Sequence, residues 1–313
     1  MENFIVAAGA VAPLMVYLAL GLLMKWQYHF TEKDISTFNK LVFGIFLPVN
    51  MMNAMYSTST ANMPKPSLVI YAVVALLLFY GLAFLFVVHV EPANKKRGAM
   101  IQAMYRSNFI LLGVPLVENI YGPEGAAIPM MLTAVVVPVY NILAVFTLET
   151  FRGSQFHLGK IIIGIAKNPM IWGALVGGLC KLLPFALPNV IVKCTHAIAV
   201  STTPFALIVL GASFTLQGAV REIRDLVLCI VGRLIAAPLL FIGGAVLFLG
   251  FRNVDLATLL AMAGTPCAVA GFAMAQQMGS DGELAGNCVI FSSALSCVTM
   301  FLWVFVLKTM GLL

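Results

Sequence analysis

Charged side chains are scarce in this chain. Asp, Glu, Lys and Arg together make up 10% of its 313 residues, whereas 61% of the residues are hydrophobic. An average soluble domain carries about 25% charged residues. The shortage excludes an ordinary soluble fold and predicts a protein of the lipid bilayer. The net charge of +6 is assigned to basic residues in loops at one membrane surface, so no nucleic-acid partner is predicted.

Residues that could perform chemistry are also lacking. Nearly all of the twelve Asp and Glu residues fall in predicted loops or at the ends of apolar runs. The sequence has no paired-aspartate protease site, no His-Glu-x-x-His zinc motif and no nucleotide-binding loop. Its six cysteines show neither metal-ligand spacing nor the pattern of a secreted disulfide protein. The sequence therefore predicts no enzyme, no cofactor and no metal site.

Long apolar runs are what the chain does have. Ten of them are about 20 residues long, enough to cross ~30 Å of hydrocarbon. They are predicted at 4–24, 34–56, 67–89, 97–121, 125–149, 168–184, 189–215, 225–250, 254–278 and 282–310. The stretch from Arg152 to Lys167 joins the fifth and sixth spans and has the composition of an interfacial helix.

The two halves of the chain share their proline and glycine positions. Pro13, Gly21 and Lys25 recur 156 residues later as Pro169, Gly177 and Lys181, Pro48 recurs as Pro204, and Pro115 falls opposite Gly271. Duplicated apolar units of this kind are typical of transporters built around a central binding site. We therefore predict a first five-helix repeat at 1–151, a cytoplasmic linker at 152–167 and a second repeat at 168–313.

Basic residues are distributed unevenly between the two predicted surfaces. With the N-terminus outside, eleven lysines and arginines fall in cytoplasmic loops and five on the outer side. The positive-inside rule therefore predicts that both termini lie outside the cytoplasm. Because each half has an odd number of spans, the second half enters the bilayer upside down relative to the first. This predicts an all-α membrane protein with ten helices in a 5+5 inverted repeat.

Spans four and nine contain helix-breaking residues near their middle. Span four has Gly113-Val114-Pro115, and span nine has Thr265-Pro266-Cys267 followed by Gly271. Proline removes a backbone donor and disfavours helix at the residue before it. An interrupted helix in a bilayer must turn its unpaired backbone groups toward a cavity or a neighbour, and helix N-termini attract anions. The matched breaks predict an anion site where these spans meet.

Several short motifs occur in a characteristic order. They are Phe46-Leu47-Pro48, Asn108 with Gly113-x-Pro115, Asn168-Pro169, Leu210-Gly211-Ala212, and Arg233 with Pro238. In order and spacing they resemble the auxin efflux carrier family over essentially the whole chain. This family includes plant auxin carriers and bacterial permeases for malate and malonate. The resemblance implies that helices four and nine are broken and cross each other.

The same resemblance implies that the helices form two domains. Spans 1, 2, 6 and 7 would form a scaffold that dimerises, and spans 3–5 and 8–10 a mobile transport domain. The chain lacks the long cytoplasmic loop of many plant members, which implies a bacterial carrier of the inner membrane. Plant members commonly have a proline where this chain has Gly271, so the break in span nine stays open between Gly271 and Pro266.

Polar residues inside the spans are the candidate substrate ligands. Asn108 is predicted to contact a substrate carboxylate. Asn50 and Asn53 could either face the substrate or bond a neighbouring helix. Arg106, predicted about two turns from the break in span four, could bind substrate or extend its charge to the headgroups. Extension to the headgroups is the prediction for Arg233.

The remaining candidates contribute through their backbone or through packing. Thr265 and Cys267 flank Pro266, so their backbone is expected at the site, as is that of Gly271. Asn141 is expected only to join helices. Taken together, the residues predict a secondary carrier of a small organic anion, such as malonate or malate, that works by alternating access. A sodium-coupled symporter and an anion channel are the alternatives.

Overall fold

The computed structural model describes residues 2–57, 64–153, 158–183 and 185–313, and the secondary structure of these residues is helical apart from one isolated bridge. The helices are α1 Glu2–Tyr28, α2 Glu32–Leu41, α3 Leu47–Ser57, α4 Pro66–Val90, α5 Asn94–Tyr105, α6 Val114–Phe151, α7 Leu158–Lys167, α8 Pro169–Leu182, α9 Asn189–Ser213, α10 Leu216–Arg221, α11 Ile223–Val231, α12 Ala237–Phe248, α13 Asn253–Gly264, α14 Val269–Gln277 and α15 Gly282–Thr309. Residues 1, 58–63, 154–157 and 184, in the predicted first repeat, linker and span six, lie outside the described part. The all-α prediction is confirmed.

Several helical segments are long and apolar enough to cross a membrane. Six of them, among the described residues, are Glu32–Ser57, Pro66–Val90, Glu124–Phe151, Asn189–Ser213, Ile223–Phe248 and Gly282–Thr309. They coincide with predicted spans two, three, five, seven, eight and ten. Three shorter apolar helices, Phe109–Gly122, Pro169–Leu182 and Asn253–Gly264, overlap predicted spans four, six and nine. Gly122 is non-helical, with φ 77°, and separates Phe109–Gly122 from the rest of α6. The chain is a multi-pass membrane protein.

One turn of π-helix precedes three of the prolines. The turns are Val42–Phe46 before Pro48, Phe109–Gly113 before Pro115, and Gly232–Ala236 before Pro238. A proline inside an α-helix lacks the amide that would bond the carbonyl four residues back, and its ring clashes with that carbonyl. Widening the preceding turn to the π form relieves this clash without ending the helix. These prolines therefore distort their helices but do not break them.

The break in span four lies earlier than the sequence predicted. Helix α5 ends at Tyr105, Arg106 is extended with φ −88° and ψ 112°, and helical structure resumes at Phe109. The predicted break at Gly113-Val114-Pro115 is wrong. Gly113 and Val114 have helical backbone angles, and Pro115 lies inside the helix that begins at Phe109, directly after its π turn.

The break in span nine lies at Pro266 and not at Gly271. Helix α13 ends at Gly264, and Thr265 is extended with φ −69° and ψ 153°. The ring of a proline disfavours the helical conformation at the residue before it, which agrees with the extended Thr265. Gly271 lies inside α14. The sequence had left these two positions open, and Pro266 is the one that interrupts the helix.

The two interrupted segments pair with each other. Ser107 and Cys267 form an antiparallel bridge. The backbone N–H of Asn108 donates to the carbonyl of Pro266 at 2.8 Å, and the N–H of Ala268 donates to the carbonyl of Arg106 at 3.1 Å. Backbone groups that would be unpaired in hydrocarbon are satisfied in this way. The pairing fixes the four half-helix ends next to one another.

Helices α1, α3, α8 and α9 pack closely through glycine. A Cβ atom at Gly21 would overlap the carbonyl oxygen of Ile208 in α9, and one at Gly177 in α8 would overlap the carbonyl oxygen of Met52 in α3. Contacts of small residues allow helix backbones to approach closely in membranes, where the hydrophobic effect does not hold helices together. These four helices belong to spans 1, 2, 6 and 7, which the family resemblance implies as the scaffold.

Candidate functional site

A cavity of about 300 Å³ lies beside the paired breaks. Helices α3 and α9 line one side, and residues 106–111 and 268–270 line the other, with further contributions from α6 and α8. Its polar lining residues are Asn50, Asn53, Arg106, Ser107, Asn108, Tyr140, Thr202 and Thr203. As far as the chain is described, the lining contains one cationic side chain, that of Arg106, and no Asp or Glu. The cavity is therefore suited to an anion.

Two helix N-termini open onto this cavity. One begins at Phe109 and continues as Phe109–Gly122, and the other is the start of α14 at Val269. Phe109, Ile110, Val269 and Ala270 all line the cavity. The first amides of a helix have no intrahelical acceptor, and the end carries about half a positive elementary charge. Two such ends beside one cavity are a favourable setting for a carboxylate.

Asn108 lies between these elements with an unsatisfied donor. Its side chain lines the cavity and the residue is only 8% exposed. Its Nδ2 is buried without a hydrogen-bond partner among the described residues. Leaving such a donor unpaired costs about 1–3 kcal/mol. A bound acceptor beside Nδ2 would remove this cost. Substrate contact by Asn108 therefore stays a prediction, and the unpaired donor is a physical reason for it.

Arg106 lies at the break itself rather than two turns away from it. Its guanidinium is buried, with the residue 5% exposed, so extension to the headgroups does not occur in this structure. Nη2 donates to Oδ1 of Asn141 at 2.5 Å, and Nη1 contacts Sδ of Met274 at 2.7 Å and Oε1 of Gln102 at 3.4 Å. No carboxylate of the described residues pairs with Arg106. A buried and unneutralised charge is costly, and an anion in the cavity would compensate it.

The amide of Asn141 orients this arginine. Its oxygen accepts from Arg106, while its Nδ2 donates to the carbonyl of Val137 at 2.8 Å and contacts Sδ of Met51 at 2.8 Å. The sequence predicted only a helix-joining role for Asn141. The structure gives it a second task, because it holds the cationic side chain of the cavity in place.

Sequence reasoning missed four polar lining residues. The hydroxyls of Ser107 and Tyr140 lie 3.0 Å apart. Thr202 donates to the carbonyls of Ile198 and Phe46 at 3.0 and 3.2 Å, and Thr203 lines the cavity beside it. The Ser107–Asn108 pair was readable as polar residues within an apolar span. A lone tyrosine or threonine in a span carries no comparable signal.

Asn50 and Asn53 line the cavity from α3. A substrate-facing role, one of the two alternatives that the sequence left open, requires this position. Gly113, Val114, Pro115, Thr265 and Pro266 do not line it. Cys267 and Gly271 join Arg106 around a separate void of about 10 Å³.

Arg233 is buried inside the protein. It is 1% exposed, so the prediction that its charge extends to the membrane surface is wrong. Nη1 donates to the carbonyls of Tyr105 at 2.8 Å and Met104 at 3.2 Å, and Nη2 donates to those of Met262 at 3.3 Å and Ala263. These carbonyls end α5 and α13. The negative ends of these two helices attract the guanidinium.

Comparison with known proteins agrees with this arrangement of the chain. A family model described as membrane transport protein matches residues 6–158 and 154–304. A protein of Methanothermobacter thermautotrophicus named as an uncharacterized transporter is 23% identical over 309 residues, which cover 97% of this chain and 99% of that protein. The chain therefore belongs to the membrane transport protein family, the auxin efflux carrier family that its motifs resemble.

Proposed function

We propose that the protein is a secondary carrier of a small organic anion, a carboxylate such as malonate or malate. The observation that carries the proposal is that one cavity is lined by an unpaired hydrogen-bond donor and an unpaired positive charge. The Nδ2 donor of Asn108 lacks an acceptor, and the charge of Arg106 lacks a carboxylate. A carboxylate would meet both, and it would also face the two helix N-termini. The carrier moves its substrate without transforming it.

The proposed architecture is ten spans in a 5+5 inverted repeat, with repeats at 1–151 and 168–313. Reciprocal contacts support it. Gly21 meets Ile208 and Gly177 meets Met52, and the members of each pair recur 156 residues apart in the other pair. The amide bonds at the breaks are likewise reciprocal, from Asn108 to Pro266 and from Ala268 to Arg106. These glycine contacts and amide bonds therefore run from each half of the chain to the other.

Alternating access requires the transport domain to move past the scaffold. The proposed scaffold consists of α1, α2, α3, α8 and α9. Nδ2 of Asn39 in α2 donates to Oε1 of Gln276 in α14 at 2.6 Å, and Asn39 is fully buried. This bond joins the proposed scaffold to the proposed transport domain. It must break for the cavity to open toward the cytoplasmic side.

The membrane setting is also part of the proposal. We propose that the protein lies in a bacterial inner membrane with both termini outside the cytoplasm, and that scaffold helices join two copies. The exposed apolar side chains of Trp172, Leu175, Leu179 and Leu182 on α8 support contact with lipid or a second copy.

A binding screen tests the proposed function. Purified protein is titrated calorimetrically with malonate, malate and indole-3-acetate, each compared with its neutral amide. We expect saturable binding of at least one acid, with its amide weaker by about tenfold or more. Arg106→Met should reduce the preference for the acid, whereas Arg224→Met, at an exposed arginine, should leave it unchanged. Equal binding of acid and amide, or no binding of any acid, would contradict the proposal.

A further inference from the structure

Arg233 contacts both half-helices that end at the breaks. Its guanidinium donates to Met104 and Tyr105 at the end of α5, and to Met262 and Ala263 at the end of α13. It comes from a third element, the π-turn Gly232–Ala236 between α11 and α12. One buried side chain therefore ties together the two C-terminal helix ends, which belong to opposite halves of the chain.

The charges at the paired breaks can be added up from this geometry. Each helix C-terminus carries about half a negative elementary charge and each N-terminus about half a positive one. The ends of α5 and α13 together carry roughly one negative charge, which the single positive charge of Arg233 cancels. The N-termini at Phe109 and Val269 remain, and they line the cavity. Without Arg233, the four helix ends would cancel one another and leave the charge of Arg106 as the remaining attraction for an anion.

We propose that Arg233 is a positioning residue that makes the cavity selective for anions although it does not touch the substrate. It neutralises the C-terminal helix ends, so that the field of the N-terminal ends reaches the cavity uncancelled. Its buried position strengthens the effect, because charges in a low-dielectric interior are poorly screened. The proposal rests on the proposed carrier function and adds a second source of its anion selectivity, beside Arg106.

A purely structural role would have a different signature. If Arg233 only held α5 and α13 together, its loss would lower the amount of folded protein and its thermal stability. The folded fraction would still prefer the acid over the neutral amide of the same compound. Selectivity between acid and amide therefore separates the electrostatic role from the structural one, since both probes have nearly the same shape.

The test uses the full chain in detergent, with Arg233→Met, Arg233→Lys and the matched control Arg224→Met. Each variant is titrated with malonate, malate and indole-3-acetate and with their amides, and affinities are referred to folded, monodisperse protein. We expect Arg233→Met to bind the acid about 10- to 30-fold more weakly than wild type, with amide binding unchanged. Arg233→Lys should recover part of the affinity, because it keeps the charge but not the fork of donors. Arg224→Met should match wild type.

The outcomes separate this inference from the function on which it rests. If wild type binds no acid, the proposed function fails and the inference fails with it. If wild type prefers the acid and Arg233→Met prefers it equally, the inference is overturned and the carrier function stands. If neither Arg233 variant yields folded protein, Arg233 is a structural residue and the inference is likewise overturned.

Discussion

Asn108 and Pro266, from different halves of the chain, are joined by a backbone hydrogen bond of 2.8 Å. The bond places the side chain of Asn108 at the cavity, with its Nδ2 buried and unpartnered. Because the N–H of Ala268 returns the same kind of bond to Arg106, the two breaks stabilise each other. The position of the candidate site thus follows from this pairing of the two halves.

Removing the side chain of Asn108 should weaken substrate binding. A hydrogen bond to a charged group contributes about 1.5–3 kcal/mol, so Asn108→Ala should reduce the affinity for the acid about 10- to 150-fold. Asn119→Ala is the control in the helix that follows Asn108, because Asn119 is exposed and its side chain donates to the carbonyl of Pro115. Calorimetric titration of both variants checks this. Unchanged affinity in Asn108→Ala would place the site elsewhere.

The two prolines should differ in their effects on binding. Pro266→Ala removes the ring that holds Thr265 extended, so α13 can lengthen into the break and binding should weaken about tenfold. Pro115→Ala changes a residue in the first turn of α6 that does not line the cavity. Its affinity should stay within about threefold of wild type. A larger loss in Pro115→Ala than in Pro266→Ala would show that the functional break lies at residue 115.

Two neighbouring glycines of α8 allow a matched test of the packing. A Cβ at Gly177 would overlap the backbone of Met52, whereas a Cβ at Gly178 would meet nothing within 4 Å. Gly177→Ala should therefore destabilise the protein by about 1–3 kcal/mol through overpacking. Gly178→Ala should leave stability unchanged or raise it, by up to about 1 kcal/mol, because alanine favours helix. Thermal unfolding in detergent measures both, and equal midpoints would contradict the close packing of α3 against α8.

Transport should not require sodium. Three oxygen atoms near the breaks already accept hydrogen bonds: the carbonyl of Pro266 from Asn108, that of Ala263 from Arg233, and Oε1 of Gln276 from Asn39. Glu118, the acid within span four, is exposed. Replacing sodium with choline at fixed pH and voltage should leave uptake into proteoliposomes within about twofold. A several-fold fall would favour the sodium-coupled alternative.

Much of this structure could be predicted from the sequence, because the length of an apolar run and the effect of a proline on its neighbour are local properties of the chain. The helical spans follow from runs of apolar residues, and Pro266 breaks its helix through the residue beside it. The break at Ser107 was not readable, because no proline or glycine lies within it and its extended backbone depends on a distant partner, Cys267. Pro115 was misleading, since the sequence does not show whether a proline ends a helix or widens the turn before it.

The candidate site likewise contains residues that the sequence identifies and residues whose roles only the structure shows. Asn108 was identified because a polar amide in an apolar span is conspicuous by itself. The burial of Arg233 depends on four carbonyls contributed by α5 and α13, and such long-range capping leaves no local pattern. Likewise, the partner of Arg106 is Asn141, 35 residues away in the chain. Residues whose role comes from tertiary contacts need the structure to reveal them.

Counterflow in proteoliposomes tests the central claim most directly. Vesicles with purified protein are preloaded with the acid that binds best and diluted into a trace of the labelled acid, for wild type and Asn108→Ala. A carrier with one alternating site should accumulate label transiently above equilibrium, with a rate that saturates, and Asn108→Ala should lose this accumulation at low substrate concentration. Label that only equilibrates, at a rate rising linearly with concentration, would contradict the account and indicate a channel.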